Sequence, residues 1–595
     1  MVDPNAAAAP AESANAVHHR QTTNRCATSK AGPSSGKRRT TATTHNNSHH
    51  AEARRVHPVA PASEQHPAMI EALLKPEAYP HPVSRVQLIE THISWVLLTG
   101  RFAYKIKKPV ELGFVQTGTL KQRLHCCHEE LRLNRRMAAD LYCAVVPVLG
   151  PARRARIGIT PLDPTATPNE SLLDAAVQMV QFEPQALLSR ALTNGSVTRA
   201  MLTDLAWTLG LFHLRAEMAD PDSSFGTPAA VCEPVITNLS VLAPLTTQAD
   251  QHAVLSQHRQ WIDQQQQRLL PRFTQRKERG AIRECHGDLH CANIRRDRNG
   301  RLEVFDAIDF NAGLRWIDPI SEMAFLVMDL KMRGDPGRGL EVLNTWLECT
   351  GAYDGLDLWP WYSAYRAMVR AKVSALQAKA CREPEQRQQL LGELDSYLHT
   401  ASCWEQPPQA GLVLMHGLSG SGKSSLSGQL IRPLQAVRIR SDRERLRAFS
   451  ASEGQPARFS GDRYAAEVTR WLFHDQIPFL VKRSLQSGYA VIVDATFLRR
   501  QERRLMTDLA EAMGRAWAIV HCRCTDTTAR QRLEQRQREG LDPSEADQIV
   551  RDRQRQWLEP LDDREQRRTV VADEFSTLAT VRAALATLLN PPDRR

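Results

Sequence analysis

The feature that most constrains this chain is a glycine-rich loop that follows a short apolar run. Residues 412–415 read Leu-Val-Leu-Met, and residues 417–424 read Gly-Leu-Ser-Gly-Ser-Gly-Lys-Ser. A buried strand, a glycine-rich turn and a helix in this order let backbone N–H groups converge on phosphate oxygens. The alternative, a Gly/Ser surface loop, accounts for neither the upstream strand nor the final Lys-Ser pair. The sequence therefore predicts a nucleoside-triphosphate site.

The residue types in this loop have distinct expected tasks. Lys423 is expected to reach the β- and γ-phosphates, and the Ser424 hydroxyl is expected to hold Mg²⁺. The other predicted phosphate-binding residues are Gly417, Ser419, Gly420, Ser421, Gly422 and Ser425. ATP and Mg²⁺ are thus the predicted cofactors.

Length and composition indicate a multidomain globular protein. The chain has 595 residues, of which 42% are hydrophobic, enough for two to four domains. The net charge of +11 suits phosphorylated ligands or nucleic acid, but over this length it is equally an ordinary solvated surface.

No run approaches the roughly 18 apolar residues of a spanning helix, and the N-terminus lacks a signal-like apolar core. We expect a cytoplasmic protein with no membrane contact and twelve reduced cysteines.

The first 65 residues differ from the rest in composition. They are rich in Ala, Ser, Thr, Asn, His and Pro and nearly lack aromatic and branched apolar side chains. Such a segment cannot bury enough surface to offset its ordering entropy. Residues 1–65 are therefore predicted to be a disordered polar tail.

A strand-rich segment follows the tail. Residues 86–107 alternate apolar and polar side chains around a Thr-Gly turn, which predicts an antiparallel hairpin. Residues 120–141 have helical spacing and carry Glu129 and Glu130. A strand lysine followed by a helix glutamate is the pair with which a kinase-like small lobe holds ATP phosphates. Solvated side chains are the plainer alternative.

A second informative loop lies at 286–293, with the sequence His-Gly-Asp-Leu-His-Cys-Ala-Asn. An apolar strand is predicted at 302–310, and it carries Asp306 and Asp309. In kinase-fold chemistry Asp288 would orient the acceptor hydroxyl and accept its proton, while Asn293 and a later Asp would hold Mg²⁺. The histidines could instead be ordinary turn residues.

Residues 82–376 resemble the aminoglycoside-phosphotransferase-like family of kinase-fold enzymes, in the branch fused to a C-terminal P-loop kinase. The matching stretches are 91–96 (Thr-His-Ile-Ser-Trp-Val), 104–109 (Tyr-Lys-Ile-Lys-Lys-Pro), 286–293, and 365–372 (Tyr-Arg-Ala-Met-Val-Arg-Ala-Lys). For the site, the resemblance implies the following roles: Lys105 for ATP phosphate contact, Glu130 or Glu129 as its ion-pair partner, Asp288 as catalytic base, and Asn293 with a strand-end Asp for Mg²⁺. Of Asp306 and Asp309, Asp309 is favoured because Ile-Asp-Phe resembles the family's apolar-Asp-aromatic step.

The C-terminal half alternates strand and helix patterns. Strands are predicted at 436–439, 491–496 and 516–522, which indicates a doubly wound parallel sheet with ligands at the carboxyl ends of its strands. That edge would gather Asp442, Arg445, Asp494 and Thr496 beside Lys423. Asp494 is the predicted second ligand of Mg²⁺.

This half resembles small-molecule and polynucleotide P-loop kinases. The resemblance implies that Asp442 activates the acceptor hydroxyl and that Arg445 receives the acceptor's anionic group. Residues 530–536 resemble the lid helix of such kinases, in which Arg532 and Arg536 would close over the transferred phosphoryl group. A merely solvated arginine-rich helix is the alternative.

Together these patterns predict an α+β, protein-kinase-like two-lobed domain followed by an α/β P-loop NTPase domain with a doubly wound parallel sheet. The predicted boundaries are 66–400 for the first domain, 401–409 for a linker and 410–595 for the second domain.

The leading interpretation is an ATP-dependent kinase with two sites that phosphorylate hydroxyl groups of small molecules. The rivals are a nucleotide-binding regulator with a silent N-terminal scaffold and a polynucleotide 5′-hydroxyl kinase of nucleic-acid repair. A nucleic-acid partner is thus possible but not favoured, and neither the acceptor nor the oligomeric state is predicted.

Overall fold

The computed structural model describes residues 65–112, 115–164, 171–246, 248–404, 411–450, 457–539 and 547–589. The predicted polar tail lies outside these residues except for Gln65, where the first helix begins. Most of the predicted linker, residues 405–409, also lies outside them. The last helix before it ends at Ser402, and the first strand after it begins at Leu412.

The first lobe is a six-stranded antiparallel sheet in the order β1-β2-β3-β8-β6-β7, with one long helix, α2, beside it. The Thr119 side chain and Gln122 form a capping box that fixes the start of α2. The elements are α1 Gln65–Leu73, β1 Gln87–Glu90, β2 Ser94–Leu98, β3 Phe102–Lys107, β4 Glu111–Leu112, β5 Val115–Gln116, α2 Leu120–Asn134, β6 Tyr142–Leu149, β7 Arg156–Ile157 and β8 Leu172–Val180.

The predicted hairpin at 86–107 is a three-stranded meander. The Thr-Gly turn joins β2 to β3 as expected, but a second turn at 91–93 separates β1 from β2. The Thr91 hydroxyl closes that turn by accepting a hydrogen bond from the backbone N–H of Ser94 at 2.9 Å. Helix α2 is also shorter than its apolar spacing predicts.

The second lobe is mainly helical. Its elements are α3 Leu188–Thr193, α4 Arg199–Arg215, α5 Pro228–Leu242, α6 Ala249–Glu278, β9 Arg283–Glu284, β10 Ile294–Arg296, β11 Leu302–Val304, β12 Trp316–Ile317, α7 Pro319–Met332, α8 Pro336–Thr350, α9 Trp359–Ala380 and α10 Pro384–Ser402. Strand β11 stops well before the predicted end at residue 310. Asp306 takes a left-handed backbone conformation, with a φ of 65°, which interrupts the extended chain.

One segment of this lobe, Pro228–Leu245, is long and apolar enough to cross a membrane by length and composition alone. Its residues Cys232, Val235, Leu239 and Leu242 belong to the main hydrophobic core. We therefore interpret it as a core helix.

The C-terminal domain has a five-stranded sheet in the order β14-β15-β13-β16-β17, and every strand pair in it is parallel. This confirms the predicted doubly wound α/β class; strand β17 was not foreseen. The elements are β13 Leu412–His416, α11 Lys423–Leu434, β14 Ala436–Arg440, α12 Ser441–Ala448, α13 Ala466–Trp471, α14 Ile477–Leu485, β15 Ala490–Asp494, α15 Arg500–Ala512, β16 Trp517–Cys522, α16 Asp526–Glu539, α17 Gln548–Trp557, α18 Asp563–Gln566, β17 Thr569–Ala572 and α19 Leu578–Leu589.

The two domains share one hydrophobic core. A single cluster of buried side chains runs from helices α4, α7, α8 and α9 to strands β13, β14 and β15. Next to this cluster, the ring of Tyr489 lies 6.2 Å from that of Trp359 and 5.7 Å from that of Trp404. The domains are therefore packed together and not merely tethered.

A buried carboxylate crosses the same interface. Asp357, 2% exposed, accepts hydrogen bonds from Arg272 of α6 at 2.7 Å and from Arg483 of α14 at 2.9 Å. Removing one member of such a group leaves the others as uncompensated charges in a poorly solvated place.

We expect Asp357→Ala to lower the free energy of unfolding by about 3–5 kcal/mol, because it leaves two arginines without their shared carboxylate. Arg432→Ala is the matched control, since it removes a half-exposed ion pair with Asp335 across the same interface and should cost at most about 1 kcal/mol. Denaturant unfolding monitored by circular dichroism measures both. Equal losses for the two variants would contradict the role given to Asp357.

Candidate active sites

The glycine-rich loop connects buried strand β13 to helix α11. Two of its glycines are required by the backbone: Gly417 has a φ of 134° and Gly420 has a φ of 81°. A Cβ at Gly417 would lie 2.5 Å from the carbonyl oxygen of Cys522, and one at Gly420 would lie 3.0 Å from that of Ala529. Only glycine combines these conformations with such close packing. The loop is therefore pressed against β16 and α16.

Lys423 and Ser424 form the first turn of α11, at the end of this loop. The Lys423 ammonium donates a hydrogen bond to the carbonyl oxygen of Leu418 at 2.9 Å and so lies over the loop. Burial lowers the pKa of Lys423, and the nearby carboxylate of Asp494 opposes that effect. The lysine is thus placed to meet a phosphate group in the loop.

Asp494 stands at the carboxyl end of β15 and reaches the same helix. Its Oδ2 atom accepts a hydrogen bond from the Ser427 hydroxyl at 3.1 Å. Asp494 and Ser424 both line the cavity above the loop. A serine hydroxyl and a carboxylate supply the hard oxygen ligands that Mg²⁺ prefers, so the residues at this point fit that ion.

Asp442 and Arg445 lie in α12, directly after β14. Asp442 accepts a hydrogen bond from Arg445 Nη1 at 2.8 Å, and the Arg445 guanidinium stacks over the Tyr464 ring at 4.7 Å. Arg445 is 8% exposed, and its Nε has no hydrogen-bond partner among the described residues. The pair thus presents a carboxylate and a buried cation to one cavity.

That cavity, of about 1590 Å³, joins the predicted residues of this half into one site. Arg532 of α16 lies against the loop, with Nη1 donating to the Gly420 carbonyl oxygen at 3.4 Å. The predicted residues that line the cavity are Ser419, Gly420, Ser421, Gly422, Lys423, Ser424, Ser425, Asp442, Arg445, Asp494, Thr496, Arg532 and Arg536. Gly417 lies just before this lining, and its N–H donates to the Thr496 carbonyl oxygen.

Helix α17 contributes loop contacts that sequence reasoning missed. Gln554 Oε1 accepts a hydrogen bond from the Ser419 N–H at 2.8 Å, and Arg551 donates to the Ser419 carbonyl oxygen. Arg551 also pairs with Asp526 of α16 at 3.1 Å. The sequence pattern that could have indicated this helix is its repeated arginine, at positions 551, 553 and 555.

The N-terminal domain brings its own lysine and carboxylates together. Lys105 Nζ lies 2.9 Å from Glu130 Oε1 and 2.6 Å from Asp306 Oδ1. Burial would raise the pKa of Glu130, but the ammonium groups of Lys105 and Lys107 outweigh it and lower that pKa to about 2. Glu129, the alternative partner, instead binds Arg132 and Arg315.

Asp309, the metal ligand favoured from the sequence, has a different partner. Lys107 points to the same face of β3 as Lys105, and its Nζ lies 2.5 Å from both Asp309 Oδ2 and Glu130 Oε2. The structure thus brings Asp306 to Lys105 and ties Asp309 to a second buried ammonium. The choice of Asp309 over Asp306 as the metal ligand, made from the family resemblance, stays a prediction.

The predicted catalytic loop is buried and well supported. Asn293 Nδ2 donates to Asp288 Oδ2 at 3.0 Å, and His290 Nε2 lies 3.4 Å from the same oxygen. Burial would raise the pKa of Asp288, but His290 and His286 outweigh it and lower that pKa. The Glu322 carboxylate accepts the backbone N–H groups of His286 and Gly287, which fixes the loop.

Asn293 has a feature that suits a metal ion. Its Oδ1 atom is fully buried and has no hydrogen-bond partner among the described residues. The Asn293 carbonyl oxygen accepts the N–H of Phe305, which places the amide beside the Asp306 segment. An amide oxygen and a carboxylate fit Mg²⁺ here as well.

Comparison with known proteins finds a family match, and it lies in the C-terminal half of the chain. Residues 412–561 match the family model described as an AAA domain. Curated relatives from Mycobacterium bovis and Mycobacterium tuberculosis, described as uncharacterized proteins, are 28% identical over 456 residues. That alignment covers 75% of this chain and 86% of each relative.

Solved structures resemble one half each. A choline/ethanolamine kinase family protein from Mesorhizobium loti covers 57% of this chain and 95% of its own, with a TM-score of 0.34 and 12% identity. A gluconokinase from Sinorhizobium meliloti covers 31% of this chain and 95% of its own, with a TM-score of 0.22 and 25% identity. The chain thus joins a domain with a six-stranded antiparallel sheet and a helical lobe to a C-terminal domain with a five-stranded parallel sheet, and residues 412–561 of the latter match the AAA domain family.

Proposed function

We propose that the protein is an ATP-dependent phosphotransferase with two kinase-type sites, each transferring the γ-phosphoryl group of ATP to a hydroxyl group of a small molecule. The observation that carries the proposal is the single cavity in which Lys423, Ser424 and Asp494 face Asp442 and Arg445. We also propose that the activity is cytoplasmic, and we favour a small-molecule acceptor over a nucleic acid.

In the C-terminal site the chain's own residues would divide the work as follows. The loop N–H groups and Lys423 bind the phosphates, and Arg532 and Arg536 cover the transferred group from α16. Mg²⁺ held by Ser424 and Asp494 would neutralise developing charge on the phosphate oxygens. Asp442 accepts the proton of the acceptor hydroxyl, and Arg445 binds an anionic group of the acceptor.

In the N-terminal site Lys105, held by Glu130, binds ATP phosphates, and Asp288 accepts the acceptor proton. For Mg²⁺ we propose Asn293 with Asp306, because Asp306 contacts Lys105 whereas Asp309 is paired with Lys107. A second candidate role, a scaffold without turnover, is favoured by the burial of Asp288, which is 3% exposed.

Lys423→Ala should weaken ATP binding by the C-terminal site about 10- to 100-fold, because it removes a charge-assisted contact to phosphate. Folding should be unaffected, since the hydrogen bond that this ammonium makes among the described residues goes to a loop carbonyl. Titration calorimetry measures the affinity, and Lys482→Ala, at an exposed position of α14, is the control. Unchanged ATP affinity at every site would refute the assignment of the loop.

Asp442→Asn should leave ATP bound but slow phosphoryl transfer about 10²- to 10⁴-fold, because an amide cannot accept the acceptor proton. The assay follows transfer of labelled phosphate from ATP to components of a metabolite extract. Glu467→Gln removes an exposed carboxylate from the neighbouring α13 and should transfer at the parent rate. A normal rate for Asp442→Asn would point to Asp494 as the base.

A background that combines Lys423→Ala with Asp442→Asn should suppress the C-terminal site in both ATP binding and transfer, so labelled product that remains should come from the N-terminal site. Adding Asp288→Asn to that background should remove the product, whereas adding Asp140→Asn, at an exposed position after α2, should not. If that background alone already abolishes every product, the scaffold role replaces the second kinase activity.

A further inference from the structure

The magnesium-binding side of the C-terminal site contacts a carboxylate that belongs to the other domain. Glu348 lies near the end of α8, and its side chain is 10% exposed. Its Oε1 atom accepts a hydrogen bond from Arg438 Nε at 3.1 Å, and its Oε2 atom lies 3.5 Å from Arg440 Nη1. Both arginines are in β14, the edge strand that leads into Asp442. Arg443 of α12 also lies within ion-pair distance, with its Nε 4.0 Å from Oε2, so one carboxylate of the N-terminal domain contacts three cations of the C-terminal domain.

Each of the two β14 arginines also touches one of the proposed metal ligands or its helix. Arg438 Nη1 donates to the carbonyl oxygen of Ser424 at 3.3 Å and to the Ser427 hydroxyl at 3.4 Å. Arg440 Nε lies 3.7 Å from Asp494 Oδ2, the oxygen that accepts the Ser427 hydrogen bond. Glu348 is therefore connected to Ser424 through the Arg438 side chain and to Asp494 through the Arg440 side chain.

The backbone of β14 is held by the same helix. Asn344, one turn before Glu348, donates to the Ala436 carbonyl oxygen at 3.0 Å and accepts the Arg438 N–H at 2.6 Å. After the strand, Arg447 of α12 donates to the carbonyl oxygens of Glu348 and Cys349 at 3.1 Å each. These bonds fix the position of Glu348 relative to the site.

We propose that Glu348 is a positioning residue supplied by the N-terminal domain to the magnesium–nucleotide site of the C-terminal domain. The Arg440 guanidinium lies between the carboxylates of Glu348 and Asp494. The attraction of Glu348 therefore limits how closely this cation approaches Asp494. Without it, Arg440 moves onto Asp494 and competes with Mg²⁺ for the carboxylate. This inference rests on the proposed nucleotide site at Ser424 and Asp494.

The test is Glu348→Gln in the full-length chain, with ATP binding measured by calorimetry at a series of Mg²⁺ concentrations and in excess chelator. Half-saturating Mg²⁺ should rise about 10- to 100-fold, the usual effect of losing a group that supports a metal ligand. Metal-free ATP binding should stay within about twofold of the parent. Arg432→Gln, which removes another ion pair between the same domains, should change neither quantity.

A double variant distinguishes this role from a general loss of packing. Adding Arg440→Gln to Glu348→Gln should restore the parent Mg²⁺ dependence, because the competing cation is gone; a defect in domain packing would persist. If Glu348→Gln does not fold, Glu348→Asp keeps the charge, shortens its reach and should still raise half-saturating Mg²⁺.

The outcomes separate the two proposals. Parent protein that binds ATP with no response to Mg²⁺ overturns the proposed metal site and the role of Glu348 with it. Parent protein that responds to Mg²⁺ while the folded Glu348 variants respond equally overturns the role of Glu348 alone. That role is also overturned if the Arg440→Gln addition fails to restore the response.

Discussion

The free edge of strand β14 is completed by side chains of the N-terminal domain. An edge strand presents unpaired backbone groups, and proteins cover such edges to prevent unwanted pairing. Here the Asn344 side chain donates a hydrogen bond to the Ala436 carbonyl oxygen and accepts one from the Arg438 N–H. The Tyr353 hydroxyl donates to the Arg438 carbonyl oxygen at 2.9 Å. The α12 segment with Asp442 follows β14 directly, so this contact helps to position it.

The N-terminal site depends on a simpler constraint, the alternation of side chains along a strand. Lys105 and Lys107 are two residues apart in β3, so both ammonium groups point to α2 and share the two oxygens of Glu130. Glu130 is fully buried, and only a pair of cations makes a buried carboxylate tolerable there. The second lysine gives Asp309 its own ammonium partner, with Lys107 Nζ 2.5 Å from Asp309 Oδ2.

Local patterns predict much of this structure. The glycine-rich loop, the parallel sheet and the helix with Glu130 could be predicted because each depends on residues close together in the chain. The different ion-pair partners of Asp306 and Asp309 could not, because they depend on one left-handed residue and on Lys107, some two hundred positions earlier. The contacts of Arg551 and Glu348 were missed for the same reason: nothing near them in sequence marks their distant partners.

The shared core also bears on how the protein is made. Synthesis completes the N-terminal domain first, and domains fold as units while the chain is still growing. The indole rings of Trp359 and Trp404 lack their contact with Tyr489 until that residue has been synthesised, after the glycine-rich loop and β14. During that interval an apolar face stands open to the solvent and to other nascent chains. Slow translation of residues 412–490 would lengthen this exposure. The rate of translation therefore sets how long the apolar face can bind other chains before it is buried.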